Sequence, residues 1–142
     1  MRVRLANDLE ALKERVIGCA ITVHRTLGPG LLESIYRDCM AIELRAANLE
    51  VERERRVSVR YRDQSVGASL KVDLVVDRRL IVEVKAVEHL HPVFFAQVLT
   101  YLKMTEFPVG LFMNFNSVTL ISGLKTVVHP SLYKATTLEP KI

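Results

Sequence analysis

The run Lys71-Val-Asp-Leu-Val-Val-Asp-Arg-Arg-Leu-Ile-Val-Glu-Val-Lys-Ala86 constrains this chain more than any other feature. Residues 72–76 and 80–84 are apolar and rich in β-branched side chains, the pattern of strands buried on both faces. They read as a β-hairpin with Asp73 on its first strand and Glu83 and Lys85 on its second. An ionised carboxylate inside such a strand is expensive unless its charge is compensated. A bound divalent cation is the simplest compensation.

Register sharpens the case. With Asp77-Arg78-Arg79 as the loop, Val76 faces Leu80 and Asp73 falls opposite Glu83. Facing residues of an antiparallel pair have Cβ atoms about 5 Å apart, close enough for both carboxylates to hold one ion. Glu83 and Lys85 are two residues apart and share a strand face. A two-residue loop at Arg78-Arg79 would shift the register by one and put Asp73 on the wrong face. The competing account is a structural ion pair within the sheet. Such pairs cost more than they return unless very well arranged.

At 142 residues the chain is expected to form one domain, large enough to bury a core. Its 49% hydrophobic and 25% charged residues are those of an ordinary globular protein. No apolar run approaches the ~20 residues of a membrane span, and the N-terminus lacks a signal-peptide pattern. A cytoplasmic protein is expected. Cys19 and Cys39 lie in helix-like segments without metal-ligand spacing, so buried free thiols are expected. The net charge of +4 and pI near 9.3 permit an anionic partner without requiring one. Arg53, Arg55, Arg56, Arg60 and Arg62, with Arg78 and Arg79, hold much of the positive charge. They fit either a strand edge kept from aggregating by charge or contacts to phosphate.

Along the chain, Leu5, Leu9, Leu12, Val16, Ala20, Val23 and Leu27 recur at helical spacing and predict a helix over about 7–27. Asn7 with Glu10 resembles a capping pair. Gly28-Pro29-Gly30 ends that helix, and a second is predicted over about 31–47. Residues 51–61 alternate as a strand with one wetter face, bulged or broken near Arg55. Pro92 suits the first turn of a third helix over about 93–104. Residues 109–113 and 118–121 are predicted to close the domain as strands, and the tail after His129 shows little pattern. The order ααβββαβ describes an α/β (α+β) sandwich with the hairpin central to its sheet.

Two further pieces belong with the hairpin. Glu33 and Tyr36, in Gly30-Leu-Leu-Glu-Ser-Ile-Tyr36, share a helix face, as do Gln97 and Tyr101 four residues apart. Both helices offer a polar edge to the carboxylates. Gly30, Glu33 and Tyr36, with Val23-His24-Arg25 and Leu27-Gly-Pro-Gly-Leu-Leu-Glu-Ser, match the signature of the GxxExxY protein family. Asp73, Glu83-Val84-Lys85 and Gln97…Tyr101 resemble the active-site pattern of the PD-(D/E)XK nuclease superfamily, in its RecB-like branch. Asn114-Phe115-Asn116 is similar to the family too. The resemblance covers about residues 7–128, leaving a C-terminal tail over 129–142. An isolated Asp…Glu-x-Lys match is weak, whereas this ordered set is specific.

The resemblance implies a restriction-endonuclease-like αβββαβ core, with a mixed central sheet flanked by helices and an extra N-terminal helix. It implies a metal-dependent phosphodiesterase acting on nucleic acid, with DNA the expected substrate. By position, Asp73 and Glu83 bind Mg²⁺ or Mn²⁺, the Val84 carbonyl adds an oxygen, and Glu33 completes the site directly or through water. Lys85 orients or helps deprotonate the attacking water, while Gln97 and Tyr101 position water, phosphate or neighbouring side chains. The chain departs from many members at Thr22 and Phe94, where Glu and His are common. Oxygen-only ligands independently suit Mg²⁺ better than a soft metal.

Other candidates carry less. Tyr36, Arg55 and Arg56 are read as either substrate contacts or structural residues. His24 is expected in the core or a helix contact, near the motif. His89 and His91 lack a clear third ligand for a transition metal. Gly28-Pro29-Gly30 lacks the Lys-Ser/Thr of a P-loop. No Ser-His-Asp or Cys-His pattern stands out. Against the nuclease stand a nuclease-fold module that binds nucleic acid or protein without useful catalysis, and a nuclease active only in a complex. An exposed apolar helix surface would support a homodimer, as cooperative double-strand cutting requires.

Overall fold

In the computed structural model, residues 5–132 are described. Leu9, Leu12, Val16, Ala20 and Val23 form the buried stripe of helix α1 (Asn7–Leu27). Gly28, at φ 70°, ends it in a conformation that glycine adopts without strain. Helix α2 (Glu33–Ala46) buries Tyr36, Met40, Ala41 and Leu44. Then come β1 (Val51–Tyr61), β2 (Gln64–Val76), β3 (Leu80–Lys85), α3 (Pro92–Thr105), β4 (Val109–Asn114), a 3₁₀ turn (Ile121–Gly123) and β5 (Leu124–Val128).

The five strands lie in the order β1-β2-β3-β4-β5. β3 and β4 are parallel, bridged by α3, and the other neighbours are antiparallel. The sheet is therefore mixed. Leu74, Val76, Val82 and Val84 pack on one side in a core shared with α1 and α2. Val72, Val75 and Ile81 pack on the other with Tyr101 and Leu102 of α3. Helix α3 sits close on β4: a Cβ placed on Gly110 would meet Val98 at 2.6 Å.

Several expectations change. Asn7 is the first helical residue, preceded by Ala6, and no side chain caps that end. Strand β2 begins at Gln64, well before its apolar half, because an Arg62-Asp63 turn with φ of 50° and 63° folds it back onto β1. The irregularity of β1 has two parts. Its register shifts between Ser58 and Arg60, whereas near Arg55 the pairing keeps step around Glu54, whose φ is 49°. Residues 118–121 form no strand: Val118 is 90% and Ile121 58% exposed, and the closing strand is Leu124–Val128. That turn depends on close approach, since a Cβ on Gly123 would lie 2.5 Å from the Asn114 carbonyl oxygen. Cys19 and Cys39 are both free thiols, but only Cys19 is buried. Of the tail, residues 133–142 lie outside the described residues. Among the described residues no helix is long and apolar enough to cross a membrane.

Candidate active site

The hairpin register is the one the three-residue loop requires. Val76 pairs with Leu80, Val75 with Ile81 and Leu74 with Val82. There the β2–β3 ladder stops, and Asp73 and Glu83 occupy the fork where the strands part. The Asp73 amide lies 3.4 Å from Glu83 Oε1, and the Val84 amide donates to Asp73 Oδ2 at 2.8 Å. A carboxylate thus takes the place of the next ladder bond.

The kink around Glu54 explains how Asp73 reaches that place. Val72 and Val75 are three residues apart yet both join the α3-side core, so strict alternation fails between them. Across the ladder, pairing is seen at Arg53–Leu74 and Arg55–Val72 but not between. Both strands turn together, which keeps the register and reorients Asp73. A non-glycine residue at positive φ, as at Glu54, costs of order 1–3 kcal/mol and such strain clusters at functional sites.

Asp73 is 7% and Glu83 4% exposed. Burial, and then the neighbouring Asp73 charge, push the Glu83 carboxyl up to about 8, against weaker opposition from the Asp73 amide and Lys85. Burial first, then the charges of Glu83 and Asp73, raise the Tyr101 phenol to about 12. Tyr101 is therefore close to the carboxylate pair and stays protonated at neutral pH. Lys85 shares the α3 side of β3, its Nζ 5.4 Å from the centre of the Phe94 ring. Phe94 in turn stacks on Phe112, at 5.8 Å between centroids. Gln97 is exposed on α3, one turn before Tyr101.

Helix α2 presents a different residue from those expected. Arg37 lies 3.5 Å from Asp73 Oδ1 through Nη1 and 3.5 Å from Glu54 through Nη2. Its Nε is buried without a hydrogen-bond partner. Arg37 follows Glu33 by four residues and so lies on the same face of α2, but the sequence motif singles out Glu33 and Tyr36 and passes over it. Glu54 went unmarked because its strand reads as a charged edge.

Tyr36 is fully buried, stacked on Phe115 at 4.8 Å. Its hydroxyl donates to the Gly28 carbonyl at 2.5 Å and accepts from the Leu31 amide at 3.1 Å. It pins the loop between α1 and α2. Tyr36→Phe is expected to lower unfolding free energy by about 1 kcal/mol, since the Gly28 carbonyl and Leu31 amide lose their partner. Denaturant melts beside cation titrations check this: binding near wild type separates a latch from a ligand.

His24 is also buried, its Nε2 2.9 Å from the Ser117 carbonyl oxygen. His91 caps α3, its Nδ1 accepting from the Val93 amide at 3.1 Å. Thr22 closes on its own helix, donating to the Gly18 carbonyl at 3.1 Å. Arg55 lies 5.2 Å over the Phe107 ring, and Arg56 donates to Ser69 Oγ at 3.3 Å. Asn114 ties the ends of β3 and β4, donating to the Val87 carbonyl and accepting from the Val87 amide, each at 3.0 Å. A cavity of about 390 Å³ lined by Ile21, His24 and residues 118–121 includes none of the carboxylates.

Two buried carboxylates that repel each other, without a Cys or His beside them, fit a hard cation that keeps several waters. Among the described residues, no group of three or more His, Cys, Asp or Glu is arranged to hold a metal ion. Glu33 is thus not gathered with Asp73 and Glu83. A family model described as the PD-(D/E)XK nuclease superfamily matches residues 10–127. No curated protein and no solved structure matches the chain.

Proposed function

The chain belongs to the PD-(D/E)XK nuclease superfamily, and from that premise we propose that it is a Mg²⁺- or Mn²⁺-dependent deoxyribonuclease. Its mixed five-stranded sheet with flanking helices is the restriction-endonuclease-like fold of that superfamily, and nucleic acid is the substrate class. The GxxExxY family and the RecB-like branch are the finer placement we adopt, on Gly30, Glu33 and Tyr36. The observation carrying the reading is the meeting of Asp73 and Glu83 at the strand fork, on the face shared by Lys85 and Tyr101.

Asp73 and Glu83 would hold the ion, with the Val84 carbonyl beside them and Glu33 acting through water. Bound there, Mg²⁺ or Mn²⁺ would activate water and offset charge on the phosphate. Lys85, steadied by Phe94, neutralises the phosphate and takes or orients the water proton. Tyr101 keeps its proton and donates a hydrogen bond, and Gln97 faces solvent where substrate arrives. We read the chain as one nuclease-like domain with its core over about 7–128, and the free thiols suit a reducing cytoplasm. A homodimer through the exposed Leu32 and Ile42 of the α2 region would serve double-strand cutting.

The test is calorimetric titration of Mn²⁺ into wild type and Asp73→Ala/Glu83→Ala, followed by cleavage of single- and double-stranded DNA. Binding and cutting by wild type alone are expected. One observation favours a second reading, a nuclease fold retained for binding: Arg37 already supplies a positive charge to Asp73. Absence of Mn²⁺ binding even with DNA present would select it.

A further inference from the structure

The outer half of the β1–β2 hairpin leaves the body of the sheet. β3 pairs with β2 only at Leu74, Val75 and Val76, so residues 64–71 have β1 as their strand neighbour and no other. Residues 64–69 are all exposed, as are Ser58, Arg60 and Tyr61. From Arg55 to the Arg62-Asp63 turn the ribbon runs about 20 Å. A two-stranded ribbon of that length is marginal by itself, so its projection into solvent calls for an explanation.

Its chemistry is one-sided. Between residues 56 and 71 the basic Arg56, Arg60, Arg62 and Lys71 outnumber the single acid Asp63, and Glu54, 3.7 Å from Lys71 Nζ, is the acid at the base of the arm. Arg55 over Phe107 and Val57 in the α3-side core fix which way the odd residues of β1 point. Arg56, paired with Lys71, and Ser58, paired with Ser69, therefore occupy the opposite face, on the side where Arg37 meets Asp73. Lys71 precedes Asp73 by two residues, about 7 Å along the strand. Cations and hydroxyls thus run outward along one face of the arm, on the side from which Arg37 reaches Asp73.

We propose that this arm docks on duplex DNA, its four basic side chains on phosphates and its ribbon in the major groove. The proposal rests on the nuclease reading and names how that site meets its substrate. Charge complementarity supplies the attraction. Shape selects the duplex: the B-form major groove, about 12 Å wide, admits a two-stranded ribbon, whereas the deep, narrow major groove of A-form RNA does not.

The experiment measures fluorescence anisotropy of labelled duplex DNA, single-stranded DNA and duplex RNA in EDTA, which stops cleavage, over a salt series. It compares wild type with Arg60→Gln/Arg62→Gln and Arg56→Gln/Lys71→Gln, each checked by thermal melting. Each pair is expected to weaken duplex DNA binding about tenfold or more and to lower the salt slope by about 2. Duplex binding by both variants at wild-type strength and slope overturns the proposal. So does a wild type that fails to bind duplex DNA or prefers either other probe. Hydrolysis of bis(p-nitrophenyl) phosphate by wild type with Mn²⁺ tests the nuclease reading separately, because so small a diester does not reach the arm.

Discussion

Asp73→Asn is expected to eliminate DNA cleavage while leaving the protein folded and, without metal, no less stable. Asparagine keeps an oxygen to accept the Val84 amide, so the bond closing the strand fork survives. What disappears is the Asp73 charge, 7% exposed, which with burial makes Glu83 hold its proton. Arg37 loses one partner but retains Glu54 at 3.5 Å. Losing a ligand to a catalytic ion removes several kcal/mol of transition-state stabilisation, on the order of a thousandfold or more in rate. Nicking rates with Mn²⁺ and thermal midpoints in EDTA make the comparison. A structural ion pair predicts the reverse: breaking it would cost about 3–5 kcal/mol of stability with no reason for activity to vanish.

The second large effect is in pH. Below the ordinary Glu range, Glu83 is protonated in both the folded and unfolded chain. The unfolded chain releases that proton near 4.5, whereas the fold holds it to about 8. Between those values the folded state binds more protons, so raising pH favours unfolding. Stability of the metal-free protein is therefore expected to fall across this window, by on the order of a few kcal/mol. Urea melts in EDTA from pH 4.5 to 8.5 would show it, and Glu83→Gln should flatten the dependence. Added Mn²⁺ should restore stability most at the alkaline end, because a ligand that binds the ionised pair stabilises the fold by mass action. A wild-type profile parallel to that of Glu83→Gln would refute the proton assignment.

The centre of this site was legible because β-sheet register is discrete. Once the Asp77-Arg78-Arg79 loop was counted, Asp73 had to meet Glu83, and the ladder from Val76–Leu80 to Leu74–Val82 follows that count. The helices were legible from their apolar spacing, and Pro92 opens α3 as expected. What escaped was whatever depends on backbone deviation or three-dimensional neighbourhood. Residues 118–121 have the composition of a strand but lie in a turn made possible by Gly123 against the Asn114 carbonyl. The polar half of β2, starting at Gln64, lacks the apolar alternation by which strands are recognised. Arg37 lies one helical turn after Glu33, and only the packing of α2 on the sheet puts it beside Asp73. Tyr36 carried a strong motif, and its hydroxyl serves the loop after α1.

Residues 58–69 share no core with the helices and have no strand neighbours but each other. Along a lineage, such a segment can lengthen, shorten or change sequence while the cooperative unit that folds around Asp73 is left alone. The strand that carries a carboxylate of the centre also carries the segment freest to vary. Inheritance can therefore keep the one and trade the other within a single hairpin.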